Sequence, residues 1–167
     1  MRIIGIDLAA KERNPTGIAI MDGSKIKTLT LFYDFEILNF IVHINPSVIA
    51  IDAPLTLKDR YAERYLKRYG AMSLKIPSIR LLARRGLKLK EDFEKKGFKV
   101  IEVFPTATAK ILGFYKRNKM EMLSYFKDFS VDGARNKHEV DAIIAAYTAY
   151  LHLLGKSRTV DGVVIPE

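Results

Sequence analysis

The chain has 167 residues, 49% hydrophobic and 28% charged, which suits one domain of ordinary size and excludes disorder throughout. It contains no cysteine, which excludes a disulfide scaffold, a cysteine zinc site and a thiol nucleophile. Its 28 basic and 19 acidic residues leave a charge of +9, and the segment Lys58–Lys90, with eleven basic residues against two acidic, holds the whole excess. Such a concentration fits a polyanionic partner, most often nucleic acid, about as well as a solvated helical face. The apolar N-terminal run meets Asp7 too early for a signal peptide. The longest charge-free apolar runs, Ile37–Ile51 and Ala142–Gly155, fall short of a membrane span, so a cytoplasmic protein is expected.

In chain order, the isoleucine-rich run Arg2–Leu8 reads as a first strand. Thr16–Met21 and Lys25–Phe32 follow as a hairpin around Asp22-Gly23. Asp34–Asn45 has apolar residues at helical spacing, with Asp34 as its expected cap and Asn45-Pro46 as its stop. Ser47–Ile51 is a buried strand ending in Asp52-Ala53-Pro54, expected parallel to the first because a helix precedes it. Lys58–Lys96 is helical and basic, interrupted near Ser73–Pro77, and Arg84-Arg85-Gly86 is expected to break the helix as a mobile tip. Lys99–Phe104 is a further strand, followed by short helices near Thr106–Leu112 and Lys119–Phe126 and a turn at Asp132-Gly133. Asn136–Leu154 is the longest helix and stops at Gly155, and the tail Gly162–Pro166 adds a short edge strand. This order predicts an α/β fold of the ribonuclease-H-like type. It would be a single domain over 1–167, a mixed five-stranded sheet flanked by helices, with a basic helical insertion at about 56–97.

Three carboxylates stand at element ends. Asp7 closes the first strand, Asp52 closes the central one, and Asp141 lies in the first turns of the last helix. The C-terminal ends of parallel strands share one sheet edge, where ligands gather, and this brings Asp7 beside Asp52. Neighbouring carboxylates repel, and an oxygen-only set suits Mg²⁺ or Mn²⁺. Two such ions can clamp the attacking and leaving oxygens of a phosphodiester. His138, three residues before Asp141, shares its helical face and can position or deprotonate water. Each aspartate alone is better explained as a turn or cap residue. Together, in this order of elements, the three are expected to form a site. Glu102, within the Lys99–Phe104 strand, reads equally as a further metal ligand and as an ion-pair partner of the basic insertion.

The motifs Ile4-Gly5-Ile6-Asp7, Ile51-Asp52 and His138-x-x-Asp141-Ala142 resemble those of RuvC-type Holliday-junction resolvases, within the ribonuclease-H-like superfamily. Over nearly its full length the chain is similar to the predicted nuclease family called domain of unknown function 429. That likeness runs through Gly5-Ile6-Asp7-Leu8-Ala9, Thr16-Gly17-Ile18-Ala19, Ile51-Asp52-Ala53-Pro54, Ile101–Pro105 and Asp141–Tyr147. The resemblance implies a metal-dependent nuclease, and junction resolution in particular would need a homodimer to cut two strands symmetrically. One departure stands out: RuvC-type enzymes typically carry glutamate at the central-strand position, where this chain has the shorter Asp52.

In the insertion, Arg60, Arg64, Lys67 and Arg68 recur on one helical face, and Arg80, Arg84, Arg85, Lys88 and Lys90 extend it. Lys11 lies in the turn just after Asp7. Phosphate contact is the expected role of Lys11, Lys67 and the arginines. Tyr61, Tyr65 and Tyr69 either stack on bases or, more simply, tie the insertion to the domain. His43 and His152 read as structural. The leading expectation is a two-metal nuclease acting on DNA or RNA, with Asp7, Asp52, Asp141 and His138 at its centre. A non-catalytic nucleic-acid-binding module of the same fold is the alternative. A phosphotransferase ranks last, because the chain lacks a Gly-x-x-x-x-Gly-Lys loop.

Overall fold

The computed structural model describes residues 1–167. The strands are β1 (Arg2–Asp7), β2 (Thr16–Asp22), β3 (Lys25–Leu31), β4 (Val48–Asp52), β5 (Val100–Val103), β6 (Ser130–Asp132), β7 (Ser157–Val160) and β8 (Val163–Pro166). The helices are α1 (Asp34–Ile44), α2 (Tyr61–Leu66), α3 (Pro77–Lys95), α4 (Pro105–Ile111) and α5 (Lys137–Leu153), with 3-10 turns at Lys67–Tyr69 and Lys119–Phe126. No helix is long and apolar enough to cross a membrane.

All eight strands form one mixed sheet in the order β6-β3-β2-β1-β4-β5-β8-β7. Five strands were expected. The tail strand β8 was expected as an addition to these, and the other two, β6 and β7, have only three and four residues, too short for a periodic signal. The tail strand is not at the edge either: β8 pairs parallel to β5 and antiparallel to β7, and β7 takes the edge. As expected, β1 and β4 are parallel neighbours.

The pleat sorts these buried strands between two cores. Ile3, Val48 and Ala50 face α5 and pack with Ile143, Ala146 and Ala149. Ile4, Ile6, Ile49 and Ile51 face the opposite side, against Ile37 and Ile41 of α1 and Leu89 and Phe93 of α3. Strands covered on both faces need apolar residues at every position, hence the near-continuous isoleucine runs of β1 and β4. A smaller cluster, including Ala62, Leu66, Ala107 and Val163, docks α2 against α4 and the β7–β8 hairpin.

The Arg84-Arg85-Gly86 triplet is no mobile tip. It lies inside α3, and Arg85 and Gly86 are buried. Gly86 is packed against Ala53 and Leu55. Arg85 turns inward: Nε donates to Asp34 Oδ1 (2.8 Å), Nη1 to the Ala9 carbonyl (2.8 Å) and Nη2 to the Phe32 carbonyl (2.7 Å). Asp34 therefore does not cap α1. The cap position is Tyr33, and the Asp34 carboxylate balances Arg85 instead.

Candidate active site

Asp7 and Asp52 are register partners on β1 and β4. Adjacent strands lie ~4.8 Å apart, and alternation puts both carboxylates on the α5 side of the sheet, with Ile3 and Ala50. The same alternation separates Glu102 from them. Glu102 pairs with Ile51, so it projects to the opposite face, and the expectation that it ligates a metal with Asp7 and Asp52 is corrected by the pleat. There it accepts from the Leu55 amide (3.0 Å) and from Arg60 Nη1 (2.8 Å). Burial pushes the Glu102 carboxyl up, and Arg60 opposes that rise.

The helix above the carboxylates is held down by two glycines. A Cβ on Gly5 would meet the Ala142 carbonyl oxygen at 2.1 Å, and one on Gly17 would meet the His138 carbonyl oxygen at 2.1 Å. Only bare backbone in β1 and β2 allows α5 this close. Its N-terminus is fixed as well. Asn136 caps it by accepting from the Glu139 amide (3.0 Å), and the buried Glu139 accepts from Thr28 Oγ1 (2.5 Å) and Thr30 Oγ1 (2.7 Å) of β3. Burial raises the Glu139 carboxyl, but these hydrogen bonds win and hold it below the usual range.

This seat brings His138 onto Asp7, with Nδ1 3.0 Å from Oδ2. An ionised Asp7 can only accept, so Nδ1 carries the proton and Nε2 is the basic nitrogen. Asp141, one turn further on, is buried and ion-paired to Lys119. Burial, then Asp7, pushes the Asp141 carboxyl up to about 6, with Lys119 pulling the other way. Asp52 is partly exposed as a residue, yet its carboxyl group is desolvated. That burial, with Asp7 and Asp141 nearby, holds it well above the ordinary range. Burial alone would lower the Lys119 ammonium, but Asp141, Asp7 and Asp52 outweigh it and raise it.

The structure thus gathers Asp7, Asp52, Asp141 and His138, and adds Lys119 and Glu139. Lys119 lies 22 residues before its partner, and nothing in the local sequence signals that contact. No three or more His, Asp or Glu side chains converge into a ready-made metal cage. The oxygen-only set of Asp7, Asp52 and Asp141 still suits a hard divalent cation, and the burial and mutual repulsion that raise Asp52 and Asp141 are what such an ion relieves. Lys119 supplies the positive charge among the three carboxylates.

The basic residues divide into two groups. Arg60 and Arg85 were expected to meet phosphates, but both are committed to carboxylates, Arg60 to Glu63 and Glu102 and Arg85 to Asp34. A buried arginine is retained inside only when its donors are matched, and here they are. Lys11, Arg64, Lys67, Arg68, Arg80 and Arg84 are exposed. Arg68 lies over the Tyr65 ring, 4.1 Å from its centroid, and Tyr65 in turn accepts from Arg158 of β7. Tyr65 thus ties the insertion to the β7–β8 hairpin.

In comparisons with known proteins, no protein-family profile matches the chain, and no curated protein matches it in sequence. Solved structures do match. RuvC of T. thermophilus, in complex with a Holliday junction substrate, superposes with a TM-score of 0.58 over 96% of this chain and 99% of that one, at 14% identity. A second Thermus thermophilus RuvC structure gives 0.56 over 93% and 97%, also at 14%. The chain has a RuvC-like fold. At this identity the likeness concerns the fold, and it spans both chains almost end to end. Membership of the domain-of-unknown-function-429 family finds no support in these comparisons.

Proposed function

We propose that this protein is a divalent-metal-dependent nuclease that hydrolyses phosphodiester bonds of DNA or RNA. The observation that carries the reading is the register pairing of Asp7 with Asp52 beneath the His138–Asp141 turn of α5. The RuvC-like fold, seen in a protein bound to a Holliday junction, supports nucleic acid as the substrate class.

Asp7, Asp52 and Asp141 would hold Mg²⁺ or Mn²⁺. Such ions, two in the fullest form of this reading, stabilise the charge that develops on phosphate oxygens. Asp7 orients the His138 ring through Nδ1, leaving Nε2 to accept a proton from the attacking water. Glu139 keeps that turn of helix in place through Thr28 and Thr30. Lys119, while paired to Asp141, balances the carboxylates, and once another cation does so its ammonium is free to meet a phosphate oxygen. Exposed Lys11, Arg64, Lys67, Arg68, Arg80 and Arg84 supply the sequence-independent attraction to the backbone.

The test is cleavage of labelled single-stranded, duplex and four-way-junction DNA and of RNA in Mn²⁺ or Mg²⁺, beside Asp7→Asn and Asp141→Asn. Metal-dependent cutting by the wild type alone is expected. Equal cutting by Asp7→Asn would overturn the assignment. Salt-sensitive binding without cutting in all three proteins would favour the non-catalytic module. Sedimentation of the protein with a junction would show whether it acts as a homodimer.

A further inference from the structure

We infer that the junction of β3 and α1 is a stacking platform for an unpaired strand entering the active site. The inference rests on the nucleic-acid reading above and specifies the form of the substrate. Tyr33 and Phe35 are 51% and 64% exposed, although aromatic rings normally bury most of their surface. Their rings are nearly parallel, 15° apart with centroids at 5.8 Å, so two flat apolar faces stand open to solvent. They are not mobile decoration. Arg85 grips the Phe32 carbonyl and Asp34 from α3, and Glu12 accepts from the Asp34 amide (2.9 Å), so the backbone under the rings is tied on two sides.

Asp34, the residue between the two rings in sequence, lines an open groove of about 420 Å³ between the β1–β2 loop and α3, with Lys11 on one wall and Arg84 and Lys88 on the other. Arg84 and Lys88 are four apart on α3 and therefore share its outer face. Of the acidic groups lining the groove, Asp34 pairs with Arg85 and Glu12 accepts from the Asp34 amide, whereas Lys11, Arg84 and Lys88 have no carboxylate partner; outside the groove, Glu36 follows Phe35 on α1. Exposed rings next to a groove that holds three unpaired cations are what a single strand requires, with bases on the rings and phosphates along the groove. A duplex offers no free base faces, because its bases already stack on one another.

The position is right for a substrate strand. Both β1 and β3 run antiparallel to β2, so their C-terminal ends share one sheet edge. The platform follows β3, two strand spacings or ~10 Å from the strand that ends in Asp7. Because α1 packs on the face opposite the carboxylates, an unpaired strand lying on Tyr33 and Phe35 would reach Asp7 around the C-terminal end of β1, past Ala10 and Lys11.

The test uses the full chain carrying Asp7→Asn, without metal, so that binding is read apart from cutting. Affinity for a single-stranded oligonucleotide and for its duplex is measured by anisotropy, with and without Tyr33→Ala and Phe35→Ala together. The double variant is expected to weaken single-strand binding roughly tenfold or more while leaving duplex binding nearly unchanged. Because the chain has no tryptophan, Phe35→Trp adds its only indole, whose emission should be quenched by the single strand but not by the duplex. Unchanged single-strand affinity, equal losses for both nucleic acids, or a change confined to oligomeric state would each overturn the platform. Cutting by the wild type with unaltered binding by the double variant would overturn the platform and leave the nuclease reading standing. Ring-dependent binding with no cutting in any metal would support the platform and remove the nuclease reading.

Discussion

Gly17→Ala should damage the site from behind. The added Cβ would lie 2.1 Å from the His138 carbonyl oxygen, 2.3 Å from its carbon and 2.8 Å from the Glu139 nitrogen. All three are backbone atoms within the first turn of α5, so no side chain can swing away. Restoring even a 3.0 Å contact moves the helix or β2 by about 1 Å. Overpacking of this kind costs roughly 1–3 kcal/mol, whereas glycine to alanine in a strand without a clash gains roughly 0.5–1 kcal/mol. Set against each other, the two leave a net loss of up to about 2.5 kcal/mol. The functional effect should be larger, because a misplacement of ~1 Å among reacting groups costs on the order of 10²-fold in rate. Urea unfolding gives the stability change, and Mn²⁺ calorimetry with the cleavage assay gives the effect on the site. Gly23→Ala is the control: nothing lies within 4 Å of its Cβ, and only its positive φ is penalised, at roughly 1 kcal/mol. A Gly17→Ala protein as stable and as active as the wild type would refute the claim that β2 sets the height of α5 over Asp7.

Removing a carboxylate should stabilise the metal-free protein. Asp141 sits at about 6 because burial, then Asp7, outweigh Lys119, so the folded state binds more protons than the unfolded one between about pH 4 and 6. That contribution is full below pH 4 and is lost as pH rises through 6. At ~1.4 kcal/mol per pH unit, its ceiling is about 3 kcal/mol. Asp52 is shifted in the same direction, so Asp52→Asn in chelator should be more stable than wild type at pH 8, with the difference closing by pH 4. A difference that ignores pH would show that these carboxylates do not couple. Lys119→Met should bind Mn²⁺ on the order of tenfold more tightly, since a unit charge ~4 Å away contributes roughly 1–4 kcal/mol at intermediate to high dielectric. Equal or weaker binding by calorimetry would remove Lys119 from the cluster. Glu102→Gln should cost about 3 kcal/mol in chemical denaturation, because it leaves Arg60 with only Glu63, yet should leave Mn²⁺ affinity unchanged. Loss of metal binding in that variant would make Glu102 a ligand after all.

The acidic site was legible because it is built from chain-local signals. An apolar run that ends in aspartate reads as a strand delivering a carboxylate, and both Asp7 and Asp52 sit at the last residue of theirs. The turn His138-x-x-Asp141 places two side chains on one helical face by periodicity alone. The basic insertion was legible as a charge excess but not as an interface. Charge says that Arg60, Arg84 and Arg85 are cationic, but not which of them already has an anion. Arg85 and Arg84 are adjacent in sequence, and only the rotation of α3 against Asp34 makes one buried and the other exposed.

By itself, then, the amino-acid order determined the longer strands β1 to β5 and the helices α1 and α5, and which residue types stand at their ends. Periodicity, turn chemistry and caps act over a few residues and are written in them. The tertiary structure alone decided the pairings. It set Glu102 opposite Ile51 rather than Asp52, inserted β8 between β5 and β7, and let α5 rest on Gly5 and Gly17. It also brought Lys119 to Asp141 and left Tyr33 and Phe35 uncovered. These outcomes depend on register, close approach and burial between segments far apart in the chain, where one residue of slip turns every side chain to the other face.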